Sequence, residues 1–194
     1  MAEAPDDKYS RYDFSNGPTK RGLRVGHWNV QGLGLASDKT KKFSHVECLI
    51  NRHCFHMFAV AETMLGSRIR EVRHKIEGFS CERLDRKIKG DGAKEKASGG
   101  IMVYIHESLQ YEKIEEDERD GNLQYMIVRV SKPVQVNIVV VYNPPNESHV
   151  GRFASYLKFL AEKKLPLKHP VVLLGDKSIQ VSIQKLISVL CRGL

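Results

Sequence analysis

The chain has 194 residues, room for one ordinary domain, and its 41% hydrophobic and 28% charged composition is that of a globular protein rather than a disordered or fibrous one. Net charge is +8, which favours a polyanionic partner but is equally the signature of a solvated basic surface. No apolar run approaches the ~18 residues of a membrane span, and the acidic start (Met-Ala-Glu-Ala-Pro-Asp-Asp) lacks the apolar core of a signal peptide, so an intracellular protein, nuclear or cytoplasmic, with no membrane partner is expected.

Residues 1–20 are polar and without periodicity, which predicts a disordered arm ahead of a domain over 21–176. Leu23–Trp28 reads as a short strand ending at Asn29, and a glycine-rich loop, Gln31-Gly32-Leu33-Gly34, follows. Lys41–Cys54 reads as a helix whose apolar face is Phe43, Val46, Leu49, Ile50 and His53. Cys48, His53, Cys54 and His56 lie close in sequence. Structural zinc ligands come in two spaced pairs, however, and a helix running into a strand accounts for the same residues. The four cysteines show no C-x-x-C spacing, as expected of reduced thiols.

Met57–Ala61 is a brief apolar run, too short for a helix, that ends at Glu62. Phe79–Leu84 reads as a strand, Lys87–Ser98 as a surface loop, and Gly99–Ile105 as another strand. Glu112–Asn122 reads as a charged connection. Leu123–Val130 and Val134–Tyr142 form a hairpin turning at Ser131-Lys132-Pro133, with Val134, Val136, Ile138 and Val140 on one face. Asn143-Pro144-Pro145-Asn146 stops the second arm. His149–Lys164 reads as a second helix, and Val171–Leu174 as a fully buried strand ending at Gly175-Asp176.

Asn29, Glu62, Tyr142 and Asp176 each stand just past the end of an apolar strand, where sheet proteins of this class collect catalytic groups. Each alone is an ordinary turn residue. Two carboxylates and a carboxamide gathered at one edge would suit a hard cation such as magnesium, which takes oxygen ligands and keeps several waters.

Five segments carry a family resemblance: Trp28-Asn29-Val30-Gln31-Gly32-Leu33; Ala61-Glu62-Thr63; Arg83-Leu84-Asp85-Arg86 with Gly99–Ile105; Val141-Tyr142-Asn143-Pro144-Pro145; and Leu173-Leu174-Gly175-Asp176. In this order and at these distances they resemble the motifs of the endonuclease/exonuclease/phosphatase superfamily, and of its non-LTR retrotransposon (reverse-transcriptase-associated) endonucleases in particular. The resemblance covers roughly residues 23–176.

It implies an α/β fold of the DNase I-like kind: a partial two-sheet β-sandwich flanked by helices and lacking its C-terminal strands. It implies hydrolysis of DNA phosphodiester bonds, with Asn29 and Glu62 holding Mg2+ (or Mn2+), Tyr142 approaching the scissile phosphate, and Asp176 orienting or deprotonating the attacking water. Basic loops would grip the DNA backbone; the basic residues themselves are scattered, with clusters at Lys39–Lys42, Arg68–Lys75 and Arg83–Lys96.

The sequence then departs from the family. Lys177 and Ser178 stand where an aromatic residue and an asparagine are expected, and no histidine follows His169 to complete a terminal Ser-Asp-His motif. The expectation is therefore a C-terminally truncated domain with weakened or lost turnover. The alternatives are a catalytically dead nucleic-acid- or protein-binding module and a non-functional retroelement fragment. Residues 177–194 form a divergent tail, in which Ile183, Leu186, Ile187 and Leu190 have the spacing of a short helix that could cover sheet surface left open by missing strands.

Overall fold

Strands as apolar as Met57–Ala61 and Val136–Tyr142 must be covered on both faces, and the architecture follows from meeting that need twice. The computed structural model describes residues 22–33, 37–66, 74–85, 99–119, 123–142 and 169–175. In chain order the elements are β1 (Val25–Asn29), α1 (Ser37–His53), β2 (Met57–Ala61), β3 (Phe79–Leu84), β4 (Ile101–His106), β5 (Gln110–Arg119), β6 (Leu123–Lys132), β7 (Val136–Tyr142) and β8 (Val171–Gly175). They form two four-stranded sheets, ordered β1-β2-β4-β3 and β5-β6-β7-β8. The first pairs β1 with β2 in parallel and is otherwise antiparallel; the second pairs β7 with β8 in parallel and is otherwise antiparallel.

The sheets pack face to face over one core. Met57, Ala59 and Ala61 of β2 and Ile101, Val103 and Ile105 of β4 meet Met126, Val128 and Val130 of β6 and Val136, Ile138, Val140 and Tyr142 of β7. The period of two is the pleat: alternate residues face the partner sheet. The opposite face of the first sheet, through Phe58, Val60, Met102 and Tyr104, packs on Val46 and Ile50 of α1. Phe43 and Leu49 pack there too, half-buried, while His53 is exposed. Helix α1 starts earlier than its apolar periodicity predicts, because the residues added at its start, Ser37-Asp38-Lys39-Thr40, carry no apolar signal.

Three expectations need correction. Residues 112–119 are not a connection but most of β5, the edge strand of the second sheet. An edge strand pairs on one side only, so charged residues such as Glu112, Lys113 and Glu116 cost little there. Strand β8 forms at the expected place but is not fully buried: Val171 is 38% exposed and Val172–Leu174 half-buried. It too is an edge, paired only with β7 among the described residues. The alternating face of β7 holds for Val136, Ile138 and Val140, but Val134 lies exposed in the turn. The other face of β7, Val139 and Val141, is buried as well.

The two open flanks of the sandwich differ. At one, β3 is tied to β5: the Tyr111 hydroxyl donates to Glu82 Oε1 at 3.0 Å, and Lys113 Nζ lies 3.1 Å from Glu82 Oε2. At the other, β1 lies beside β8, and Leu23, Val25, Val172 and Leu174 reach the shared core only half-buried. The arm 1–20, the expected loop 87–98 and helix 149–164, and the tail 177–194 lie outside the described residues.

Candidate active site

The strand directions bring one set of ends together. Asn29 pairs with Ala61, so Asn29 and Glu62 stand at the same end of neighbouring parallel strands. Ala61 also pairs with Ile101, which brings Gly99 and Gly100 to that end. In the second sheet Gln124 pairs with Tyr142, and Val141 pairs with Gly175. The ends of β1, β2, β7 and β8 and the starts of β4 and β6 therefore share one edge of the sandwich.

Alternation decides which side chains enter the gap between the sheets. Val25 of β1 and Tyr142 of β7 face it, and Asn29, four residues after Val25, shares that face. Glu62 should not, because it follows Ala61, which already faces inward, and simple alternation would send residue 62 to the helix side. The backbone breaks the alternation: Glu62 has φ +58°, in the left-handed region. Its carboxylate thereby returns to the gap, where the Tyr142 hydroxyl, from the other sheet, donates to Oε1 at 3.3 Å.

Gln31 (φ +50°) and Met64 (φ +52°) are also left-handed, so three of the four such non-glycine residues among the described residues lie on these two loops. Strain of this kind, which costs roughly 1–3 kcal/mol per residue, persists only where the surroundings enforce it. The enforcement is visible. The Val30, Gly32 and Leu33 N–H groups donate to the carbonyls of Ala61, Glu62 and Thr63 at 3.1, 2.7 and 2.7 Å, continuing the β1–β2 ladder past the strands. Thr63 and Met64 N–H donate to the carbonyls of Gly100 and Gly99 at 3.2 and 2.8 Å. Both glycines have left-handed φ (+95° and +96°), and a Cβ on Gly100 would collide with Thr63 Oγ1.

On the β1–α1 loop, Gln31 N–H donates to Asn29 Oδ1 at 3.2 Å, fixing the carboxamide. Lys42 of α1 donates to the carbonyls of Val30 and Gln31 at 2.7 and 3.2 Å. Lys42 belongs to one of the basic clusters, and here its charge clamps the loop that carries Asn29. Arg83 is likewise engaged, in a two-pronged pair with Asp85 at 2.7 Å, with 7% of its side chain exposed.

Three of the four expected site residues are thus at one edge: Glu62 and Tyr142 in contact, and Asn29 at the end of the strand adjoining β2. The fourth, Asp176, directly follows Gly175 and lies outside the described residues. One carboxylate and one carboxamide oxygen on adjacent strand ends suit magnesium, which needs few protein oxygens and completes its shell with water. Among the described residues no group of three or more His, Cys, Asp or Glu side chains is placed to hold a metal ion. Sequence reasoning passed over Gln124. Its signal was a polar residue opening the inward-facing stripe Gln124, Met126, Val128, Val130, at the end where the site lies.

No family model matches the sequence, and no curated protein sequence does either. Solved structures do match in shape. A truncated TDP2 from Caenorhabditis elegans aligns with a TM-score of 0.51 and 11% identity over 73% of this chain and 54% of its own. The human Nocturnin catalytic domain aligns at 0.54 and 15% over 79% and 63%, and an AP endonuclease from Archaeoglobus fulgidus at 0.53 and 9% over 87% and 71%. The fold is the DNase I-like fold. At these identities it is the DNase I-like fold that is shared. The chain spans 54% and 63% of the first two of these DNase I-like structures.

Proposed function

We propose that this chain is, by lineage, a magnesium-dependent phosphodiester hydrolase acting on DNA, of the non-LTR retrotransposon endonuclease type, with weakened turnover. The observation that carries the reading is the hydrogen bond of Tyr142 across the gap to Glu62, beside Asn29, at the shared end of two parallel strand pairs. Asn29 Oδ1 and the Glu62 carboxylate would hold the ion. When bound, magnesium offsets charge developing on phosphate oxygens.

The chain's own groups do the rest. The Tyr142 phenol gives its one proton to Glu62, which orients that carboxylate toward the ion and sets the ring beside the gap that a phosphate would enter. The ladder across loops 29–33, 61–65 and 99–100 keeps these groups from relaxing when a ligand arrives, so little reorganisation is needed at the moment of reaction. Asp176 is assigned to the attacking water, as a general base. Ser178, shorter than the asparagine expected at its place, limits stabilisation of the developing oxyanion, and this is the ground for weakened turnover. It also favours a second reading, a module that binds metal and DNA without cutting.

Plasmid nicking by the purified chain tests the proposal. Slow nicking is expected, abolished by chelator and by Glu62→Gln and reduced by Tyr142→Phe. Nicking that survives both chelator and Glu62→Gln would overturn it. Magnesium-dependent retention of DNA with no nicking at all would select the binding module.

A further inference from the structure

Gln124 and Tyr142 sit directly opposite each other on β6 and β7, and both face the first sheet at its site end. Tyr142 crosses the gap to the Glu62 carboxylate. Gln124 crosses it as well: its Oε1 accepts the Gly100 N–H at the start of β4. Gly100 and Gly99 in turn accept from Thr63 and Met64, the two residues after Glu62. A Cβ on Gly99 would stand 2.7 Å from Gln124 Oε1 and 3.2 Å from the Tyr142 ring, so amide, ring and glycine backbone are in one packed contact. The loop bearing Glu62 is thereby held from the second sheet at two points, directly by Tyr142 and through the Gly99–Gly100 backbone by Gln124.

Packing alone does not account for a glutamine here. The residue is 1% exposed and continues an apolar stripe. Its Nε2 is buried with no hydrogen-bond partner among the described residues. A buried donor left unmet is unfavourable, so the carboxamide must be retained for its oxygen. The Gly100 N–H decides which end of the amide faces the first sheet. An apolar residue at 124 would leave that N–H unmet instead.

We propose that Gln124 is a positioning residue for the candidate site: through Gly100 it fixes the Glu62–Thr63–Met64 loop so that the Glu62 carboxylate and the Tyr142 hydroxyl meet. The consequence for metal binding rests on reading this cleft as the divalent-cation site.

Two variants and two readouts test it. Gln124→Met keeps the length of the side chain and removes the amide acceptor; Gln124→Glu keeps an acceptor at the same reach. Mn2+ affinity is read from the electron paramagnetic resonance of free Mn2+. Gln124→Met should weaken binding roughly 10–100-fold, the usual effect of losing an outer-shell partner, and Gln124→Glu should restore most of it. Independently, urea unfolding followed by the single tryptophan, Trp28, gives a double-mutant cycle between Gln124→Met and Glu62→Gln, whose costs should not add because the two residues act through one network. Wild-type affinity in Gln124→Met, additive costs, or a Gln124→Glu variant as impaired as Gln124→Met would each overturn the proposal. If the wild type binds no Mn2+, the metal-site reading fails and the cycle alone decides the positioning role. If Gln124→Met does not fold, Gln124→Leu, which also removes the acceptor, takes its place in both readouts: costs that do not add to those of Glu62→Gln support the proposal, and additive costs overturn it.

Discussion

The left-handed backbone at Glu62 determines which side of the first sheet receives its carboxylate, and the candidate site depends on that one torsion. The sequence marks Glu62 as a strand-end carboxylate but does not show the reversal. Glutamate has no preference for left-handed φ, and the turn is imposed by hydrogen bonds to loops 29–33 and 99–100, which are remote in sequence. At the far end of β4 a different residue sets a pH response. His106 packs edge-on against Phe79, with ring centroids 5.0 Å apart, and its Nδ1 accepts the Ser108 N–H at 3.1 Å, which specifies the neutral ring. Burial lowers its pKa, against a smaller opposing pull from Glu107. The folded chain therefore resists taking up this proton while the unfolded chain takes it up near the usual value of about 6.5. Stability should fall as pH drops through about 6.5 toward the lower folded value, and His106→Gln should flatten that slope. Urea midpoints of the two proteins between neutral pH and about pH 5 measure it. An equal slope in both would contradict the assignment.

At the scale of elements, burial separates strands that look alike in sequence. Strands β7 and β8 are both runs of valine and its relatives, yet Ile138 is 0% exposed between the sheets and Val171 is 38% exposed at an edge. Ile138→Ala should cost about 2–5 kcal/mol through lost transfer and a residual cavity. Val171→Ala should change stability by about 0.5 kcal/mol or less. Similar losses from the two would mean that β8 is covered far more fully than described. The same distinction explains what was legible. Strands β2, β3, β4, β6 and β7 could be placed from apolar periodicity, as could the buried face of α1. The edge character of β8 could not, because composition records what a strand can tolerate and not whether a neighbour covers it. Strand β5 was lost for the converse reason: its charged residues are paired with other strands, Lys113 with Glu82 of β3 and Glu115 with Tyr125 of β6, a feature local pattern does not carry.

At the scale of the whole molecule, two sheets registered at one edge bring the candidate residues together, and the two flanks differ. The β3–β5 flank is closed by Tyr111, Lys113 and Glu82, whereas β1 and β8 leave half-buried apolar residues at the other. The basic excess was legible as charge but not as position: Lys42 and Arg83, both within basic clusters of the sequence, are engaged in contacts within the fold. That Asn29, Glu62 and Tyr142 stand at strand ends was legible in the sequence, while Gln124 and the two glycines act through backbone contacts between sheets. The most direct test of the central claim, that Asn29 and Glu62 form a divalent-cation site at this edge, is paramagnetic broadening of backbone amide signals by substoichiometric Mn2+. The account predicts selective loss of signals from residues 29–33, 62–64, 99–100 and 142, unchanged signals from His56, His106 and Leu109 at the opposite end, and no selective loss in Glu62→Gln. Broadening centred on the opposite end, or the same broadening in Glu62→Gln, would contradict it.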